Sequence, residues 1–220
     1  MTLFASYAGR RIVSGIVSIP YYGAWAADMV LAEGDAVATG GDLVIGPLTL
    51  ARAGLGRSGS LGGSRGIALF GGPGWRTEVP ALGYSNAAGV RLATVLGDVS
   101  ATVGEALVGV DSSATVGLHY MRRQGRAERV LRALAGDLWW VRPDGVTSLE
   151  ARASTAIVTP FLVESRDGAN GRVRVSTESP GDWMPGRTFA SATLPEVQTI
   201  AHTQITLSAA GEMRVEVLVT

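Results

Sequence analysis

The sequence predicts a mainly β protein of the α+β class, with two small β-barrel or sandwich-like units flanking a short helical and hairpin segment. Short β-branched stretches separated by turn residues fill residues 1–82 and return in residues 153–220. Residues 83–152 differ, because they carry apolar residues at helical spacing and one strong hairpin signal. We therefore expect a β unit over 1–82, an α+β middle segment over 83–152 and a second β unit over 153–220.

The first region contains four or five short strands at roughly ten-residue spacing, a pattern typical of a small barrel or sandwich. The stretch Gly9–Pro20 is β-branched and partly alternating, and its proline marks an edge or the end of a strand. Turn residues follow at Tyr21-Tyr22-Gly23 and again at Glu33-Gly34-Asp35. A later strand over 42–50 is expected to kink at Gly46-Pro47, and the glycine-rich stretch Gly54–Gly63 is expected to be a flexible hairpin loop.

The middle segment is predicted to contain two helices, at about 90–108 and 126–135, and a hairpin over 138–150. The second helix has apolar residues on one side and a stop signal at Gly136. Pro143-Asp144-Gly145 is a strong turn signal between the two hairpin strands. The first helix is indicated by one apolar stripe: Leu92, Val95, Leu96, Val99, Val103 and Leu107.

Several side chains are candidates for contacts with other chains. Trp139 and Trp140 point to opposite faces if they lie on a strand, so at least one is expected to meet another domain or chain, with core packing as the alternative. Aromatic residues at predicted turns can anchor interfaces or fill a barrel, and the densest basic cluster is either solvated or partner-facing. The candidate interface residues are Trp139, Trp140, Tyr21, Tyr22, Trp25, Arg122 and Arg123.

The composition argues against nucleic acids and membranes as partners. The 19 basic residues are all arginine and are balanced by 19 acidic residues, and the two kinds are interspersed along the chain. No broad basic surface for nucleic acid follows from this distribution. The longest mostly apolar run, residues 24–32, is interrupted by Asp28 and is far shorter than the ~20 residues that cross a bilayer. We expect protein partners, no stable membrane insertion and a soluble protein made in the cytoplasm.

The sequence contains two catalytic motifs whose surroundings do not fit. Gly62–Gly66 matches the G-x-S-x-G nucleophile motif around Ser64, but a strand, rather than the required helix, is predicted after it. Gly54–Gly59 matches a dinucleotide-binding pattern without the strand and helix that this site needs. His119 and His202 lack the spacing of metal ligands, and no cysteine is present. We therefore predict no cofactor, no metal and no enzymatic activity.

Two alternatives stay open at this stage. One is a small hydrolase that uses Ser64, or a pair of carboxylates, on a β scaffold. The other is a carbohydrate-binding module, which would be marked by an exposed aromatic platform on one sheet.

The predicted order of elements resembles that of the hub proteins of bacteriophage tails. The order is a β-barrel, a helical segment, a helix with the hairpin around Trp139–Gly145, and a second β-barrel. Those hubs lie at the baseplate or tail tip and are related to the spike-bearing proteins of contractile injection machines. Other stretches are similar to phage and prophage tail proteins, and with them the resemblance covers most of the chain: Ser14–Pro20, Trp25–Asp28, Gly71–Arg76 and Gly83–Val90.

The resemblance implies a homotrimer in which two similar barrels per subunit build a pseudo-sixfold ring. Such a ring joins a hexameric tail tube or distal tail protein on one side to a trimeric spike or fibre protein on the other. The first and last β regions would be the two barrels, and the middle segment would brace or decorate the ring. The chain would then be a non-enzymatic structural component of the virion tail, assembled in the host cytoplasm.

Overall fold

The computed structural model describes residues 5–32 and 37–220 of the chain. The turn predicted at Glu33-Gly34-Asp35 lies outside the described residues. The described residues are mainly β-strand with two α-helices, which confirms the predicted fold class. They form two compact units: residues up to Gly71 belong with Arg152–Thr220, and Gly72–Ala151 form the other unit.

The first β region is a closed six-stranded barrel. Its strands are β1 (Ala5–Tyr7), β2 (Arg10–Pro20), β3 (Ala26–Leu31), β4 (Gly40–Ile45), β5 (Leu48–Leu61) and β6 (Ser64–Phe70). They follow the order β1-β4-β5-β6-β3-β2, and β1 closes the barrel because it pairs with both β4 and β2. All these pairs are antiparallel.

Alternate side chains of these strands form the barrel core. Along β3, Ala27, Met29 and Leu31 are buried, whereas Ala26 and Asp28 are exposed. This is the two-residue period of a strand with one face toward the core. The other strands contribute further buried apolar side chains: Tyr7, Val17, Ile19, Leu43, Ile45, Leu50, Ile67 and Leu69.

Two details of this barrel differ from the sequence-based expectations. The chain reverses at Gly46-Pro47 instead of kinking, because Gly46 adopts a φ of 54° and Ile45 then pairs with Leu48. The prediction of a flexible loop over Gly54–Gly63 is wrong, because β5 continues to Leu61 in a ladder with β6. Backbone pairing with β6 overrides the low strand propensity of glycine here.

The middle unit combines short strands with two helices. Its elements are β7 (Glu78–Val79), β8 (Leu82–Ser85), α1 (Leu92–Val103), β9 (Leu107–Val108), β10 (His119–Arg122), β11 (Gly125–Arg126), α2 (Ala127–Ala135), β12 (Trp140–Val141) and β13 (Thr147–Ser148). β8 pairs with β10, β7 pairs with β11, and β12, β13 and β9 form a three-stranded sheet. The buried Trp75 donates its indole N–H to the Thr147 hydroxyl over 2.7 Å, which fixes this sheet to the preceding segment of the unit.

Both helices end at a glycine with a positive φ, whereas neither begins with a side-chain cap. α1 is shorter than the expected 90–108, because Gly104 adopts a left-handed φ of 68° and ends it, so that Leu107 lies in β9. α2 ends before Gly136, whose φ is also positive, at 65°. The apolar stripes predicted for both helices are buried at Val95, Leu96, Val99, Ala127, Val130 and Leu131. No helix among the described residues is long and apolar enough to cross a bilayer.

The second β region contains the remaining strands: β14 (Phe161–Asp167), β15 (Arg172–Thr177), β16 (Thr188–Ser191), β17 (Leu194–Leu207) and β18 (Met213–Val219). They follow the order β17-β18-β15-β14, and β16 pairs with β17. A parallel bridge between Ala156 and Thr188 brings the chain before β14 back to β16. Its interior holds an aromatic cluster of Phe161, Trp183 and Phe189, with ring centroids 4.9 to 5.9 Å apart.

Candidate assembly surfaces

A backbone ladder, rather than a linker, connects the two β regions. β2 of the first region pairs with β17 of the second, from Gly15 opposite Leu207 to Pro20 opposite His202. The strands of both regions therefore belong to one eleven-stranded sheet. An interstrand ladder of this kind leaves little freedom for one β region to move against the other.

A hydrogen bond between side chains joins β2 to β17 on the outer face of this ladder. The Ser18 hydroxyl lies 2.8 Å from Nε2 of His202. Burial lowers the pKa of His202, and the positive charge of Arg172 lowers it further. Near neutral pH the imidazole is therefore uncharged, which suits its half-buried position between the two β regions.

Arg152 ties the two β regions together at one end of the ladder. Its guanidinium donates to the carbonyl oxygens of Tyr21 (2.6 Å), Pro20 (3.0 Å) and Pro185 (3.4 Å). Burial lowers the pKa of Arg152 to about 10, although electrostatic interactions with Tyr21 and Tyr22 raise this pKa. Sequence reasoning missed this residue, because its acceptors are backbone carbonyls that carry no residue-specific signal.

Tyr21 and Tyr22 form a small aromatic cluster around Arg152. Their rings meet edge to face at 4.7 Å, and the guanidinium lies 5.7 Å from the centre of the Tyr21 ring. Tyr22 is 41% exposed and Tyr21 is half-buried. The outer ring of this cluster is therefore available to another chain, while the inner ring is held by the cation.

Trp25 lies in the core of the first β region and is only 1% exposed. Gly71 makes this position possible, because a Cβ on that residue would collide with the indole ring. Of the aromatic candidates around the first turn, Tyr22 is thus a surface residue and Trp25 is a packing residue.

The two tryptophans of the hairpin have different environments. Trp139 precedes β12 and is 3% exposed, so its ring packs inside the middle unit. Trp140 lies in β12, is half-buried, and donates its indole N–H to the carbonyl oxygen of Glu150 over 2.9 Å. Only Trp140 presents part of its ring at the surface.

The adjacent arginines Arg122 and Arg123 also differ in burial. Arg122 is 2% exposed and donates to the carbonyl of Pro80 over 3.1 Å and to the Tyr84 hydroxyl over 3.2 Å. Arg123 follows the end of β10 and is exposed. Of this pair, Arg123 alone is a surface residue of the described chain.

The local structure at Ser64 is not a nucleophile elbow. Gly62 and Gly63 form a hairpin turn with φ values of 53° and 81°, and Ser64 begins strand β6 rather than a helix. The two histidines bond elsewhere, His119 to the Ser85 hydroxyl and His202 to Ser18. Ser64 lines a groove of about 510 Å³ on the first β region, together with glycines, other serines, Asp28, Arg57 and apolar residues such as Val30 and Ile67.

The surface signs of a sugar-binding module are weak in the described residues. Tyr22 is the one aromatic side chain among the large, clearly exposed apolar residues there, and it lies in a turn after β2 rather than on a sheet. The described chain thus lacks the flat aromatic platform that would mark the carbohydrate-binding alternative.

Several exposed apolar side chains were not anticipated. Val158 is 90% exposed and Val197 is 69% exposed in the second β region, and Met121 is 67% exposed in the middle unit. The sequence does contain an indication for Val197. It is a β-branched residue of a strand, and the residues on either side of it, Glu196 and Gln198, are both polar. Exposed apolar residues in such positions are typical of contact surfaces.

Comparison with known proteins places this fold among tail proteins. No protein-family model and no curated protein matches the sequence. The tail protein from Neisseria meningitidis MC58 has a TM-score of 0.62 at 13% identity, over 99% of this chain and 95% of its own. The 43 kDa tail protein of prophage MuSo2 from Shewanella oneidensis has a TM-score of 0.64 at 11% identity, over 99% and 97%.

A secretion-system protein shares the same fold. The E. coli c3393 protein is a component of the type VI secretion system that exhibits structural similarity to the T4 bacteriophage tail proteins gp27 and gp5. It has a TM-score of 0.65 at 10% identity, over 98% of this chain and 76% of its own. At such identities the likeness establishes the fold, and the fold of this chain is that of phage tail proteins, as the resemblance to tail hubs implied.

Proposed function

We propose that this chain is a structural component of a phage or phage-like tail, and specifically a tail hub. Its copies form a homotrimeric ring that joins the tail tube or a distal tail protein to a spike or fibre protein. In that role it is assembled in the host cytoplasm and becomes part of the virion tail. The observation that carries the proposal is the ladder between β2 and β17, which joins a closed barrel to a second β region in one continuous sheet.

The ladder supports a ring for a geometric reason. Two β regions whose spacing is fixed by backbone hydrogen bonds act as two neighbouring segments of a ring. Three such chains supply six β regions, which is the number needed to face a hexameric tube while keeping threefold symmetry toward a spike. The solved tail proteins with the same fold support this reading at the level of architecture.

The proposed role is non-enzymatic. The serine motif at Ser64 lies in a hairpin, and the two histidines are each bonded to a different serine. The described side chains contain no group of three histidine, cysteine or carboxylate residues positioned to hold a metal ion. The exposed aromatic and arginine side chains instead support a role in packing and hydrogen bonding with other proteins.

The surface residues that fit subunit contacts are Tyr22, Trp140 and Arg123. Each presents part of a large side chain to solvent, and aromatic and arginine residues are enriched at protein interfaces. Tyr22 is the best anchor, because its contact with Tyr21, whose ring lies against Arg152, restricts its ring and reduces the entropy lost on binding.

Native mass spectrometry over a concentration series tests the proposal. We expect the wild-type chain to form a trimer, and the substitution Tyr22→Ser to shift it toward a monomer that is still folded by circular dichroism. Tyr120→Ser, in the middle unit, serves as a comparison for loss of a partly exposed tyrosine. A wild-type chain that stays monomeric at every concentration, alone and with a purified tail-tube protein, would contradict the hub.

A further inference from the structure

Three arginines of the middle unit form a basic surface that makes no ion pair with the described residues. Arg123, Arg126 and Arg129, called here the arginine surface, are exposed and lie just before and within the first turn of α2. In the described part of the chain no ion pair reaches their guanidinium groups. Arg132, one turn further along, differs because it contacts Glu128 at 2.9 Å and Asp137 at 3.6 Å.

The stability of α2 does not explain why arginines lie at its amino end. The amino end of a helix carries a partial positive charge, and a cation there costs typically ~0.3–1 kcal/mol. Arg126 is the residue that caps α2, without a capping hydrogen bond from its side chain, and Arg129 follows in the first turn. The position therefore disfavours these cations, and the acidic residues nearest to them in the chain are Glu128, in the same turn, and Glu78, opposite Arg126 in the pair of β7 and β11. A contact outside the chain would add to the attraction that these two acids supply.

One exposed apolar side chain lies close to the arginine surface in the chain. Met121 is 67% exposed on β10, two residues before Arg123. Its methyl group lies 3.5 Å from where a Cβ on Gly83 would sit, so the side chain extends across the ribbon of β8 and β10. Leu82 and Leu118, which are 43% and 57% exposed, belong to the other face of this ribbon, because Leu82 is the register partner of Arg122 and not of Met121. Methionine and arginine together are enriched at protein interfaces.

These neighbours favour a protein ligand over a nucleic acid. Single-stranded nucleic acid binds where basic groups alternate with aromatic rings that are free to stack on bases. The two aromatic rings of this ribbon, Tyr84 and Tyr120, are half-buried and lie 6.2 Å from each other, and the Tyr84 hydroxyl is held by Arg122. An exposed methionine close to guanidinium groups that have no ion pair within the described residues suits carboxylates alternating with apolar side chains.

We propose that the arginine surface and Met121 bind an acidic, amphipathic segment of another protein. Charge complementarity selects the carboxylates, and Met121 contacts the apolar side of the segment. If the chain is a tail protein, as proposed above, this other protein is a neighbouring tail component. This identification of the partner rests on the proposed function. The binding itself does not depend on the oligomeric state.

Fluorescence anisotropy with three labelled probes tests the proposal on the full chain. The first probe is a peptide of leucine and glutamate, the second is the same peptide with glutamine in place of glutamate, and the third is an oligo-thymidine strand. We expect the acidic peptide to bind with an affinity that falls as salt increases, and we expect neither of the other probes to bind comparably.

The decisive variant carries Arg123→Gln, Arg126→Gln and Arg129→Gln. We expect it to bind the acidic peptide about tenfold more weakly and to melt no lower than the wild type. The matched control carries Arg172→Gln, Arg174→Gln and Arg214→Gln, because these three arginines are already paired with Glu216 or Glu212. It removes the same charge and should keep the wild-type affinity. Met121→Ser should weaken peptide binding with the arginines intact.

Three results would overturn the proposal: equal binding by the two triple variants, equal binding of the acidic and neutral peptides, or binding of the oligonucleotide that depends on the arginine surface. The last result would identify a phosphate-binding surface instead. A monomeric wild type that binds the acidic peptide through these arginines would refute the trimeric hub and leave this inference standing, so the two failures are distinguishable.

Discussion

The guanidinium of Arg152 donates a 2.6 Å hydrogen bond from Nε to the carbonyl oxygen of Tyr21, across 131 positions of the sequence. Arg152 is the first residue of the chain segment that returns to form the second β region, and Tyr21 directly follows β2. This bond therefore holds the end of β2 against the start of the returning segment. It supplements the ladder between β2 and β17 at the point where that ladder ends.

Replacing Arg152 should destabilise the chain. Arg152→Met keeps most of the side-chain volume but leaves the carbonyls of Pro20, Tyr21 and Pro185 without this donor. We expect the free energy of unfolding to fall by about 2–4 kcal/mol, measured by chemical denaturation. Arg166→Met, at an exposed position of β14, is the control and should change it by less than about 0.5 kcal/mol. Equal effects of the two substitutions would show that the buried hydrogen bonds contribute little.

His202 should make the chain less stable in mild acid. Its pKa is lowered in the folded state, first by burial and then by Arg172, so the unfolded chain binds the proton more readily. The resulting stability is present above the unfolded pKa of about 6.5 and is lost as pH falls through the folded value. We expect denaturation midpoints to fall between about pH 7.5 and pH 5. His202→Gln, whose amide can still bond Ser18, should flatten this pH dependence.

The opposite slope would contradict this account of His202. If the wild type became more stable as the pH fell through this window, the imidazole would be favoured in its charged form. An unchanged slope in His202→Gln would place the titration on other groups. His119→Gln is a suitable comparison, because that side chain lies exposed on β10, where it bonds Ser85.

Local patterns predicted the strands better than the connections between them. In β18, Val215 and Val217 are buried and Arg214 is exposed, which follows the alternation visible in the sequence. The closure of the first barrel had no such signal, because β1 has three residues and its pairing with β4 is set by the whole chain path. Strand periodicity is a local property, whereas the choice of neighbouring strand depends on contacts distant in sequence.

The candidate surface was harder to predict than the fold. The sequence around a tryptophan or arginine does not show whether its side chain is buried or exposed, because burial depends on residues that are distant in the sequence. Trp25 is buried because Gly71 leaves space for its ring, and Arg122 is buried because Pro80 and Tyr84 accept its hydrogen bonds. The arginines that stayed exposed, such as Arg123, could be separated from Arg122 only once these partners were known.

Two glycines of the β5–β6 hairpin should respond oppositely to alanine. Gly63 has a φ of 81°, which an L-residue adopts at a cost, so Gly63→Ala should destabilise the chain by about 1–2 kcal/mol. Gly59 lies within β5, its φ is not in the left-handed region, and no atom lies within 4 Å of an added Cβ. Gly59→Ala should therefore leave stability unchanged or raise it by up to about 1 kcal/mol.

Thermal denaturation of the two alanine variants distinguishes a strand from a loop over Gly54–Leu61. A tight turn at Gly62-Gly63 flanked by paired strands requires the positive φ values at those two residues only. If both substitutions were neutral, the segment would behave as the flexible loop that its composition suggests. If both were damaging, the site of Gly59 would be less open to a side chain than its described surroundings indicate.

Alanine substitutions of the two hairpin tryptophans should have different effects, one mainly on the stability of the fold and the other also on assembly. Trp139 is almost fully buried, so Trp139→Ala should lower the free energy of unfolding by about 3–5 kcal/mol. Trp140 is half-buried with one hydrogen bond to Glu150, so Trp140→Ala should lower it by about 1–2 kcal/mol. If the hub proposal holds, Trp140→Ala should also weaken the trimer in native mass spectrometry, whereas Trp140→Phe should retain most of it. Equal destabilisation by the two alanine substitutions, with no change in the trimer for either, would make both rings core residues and remove Trp140 from the interface.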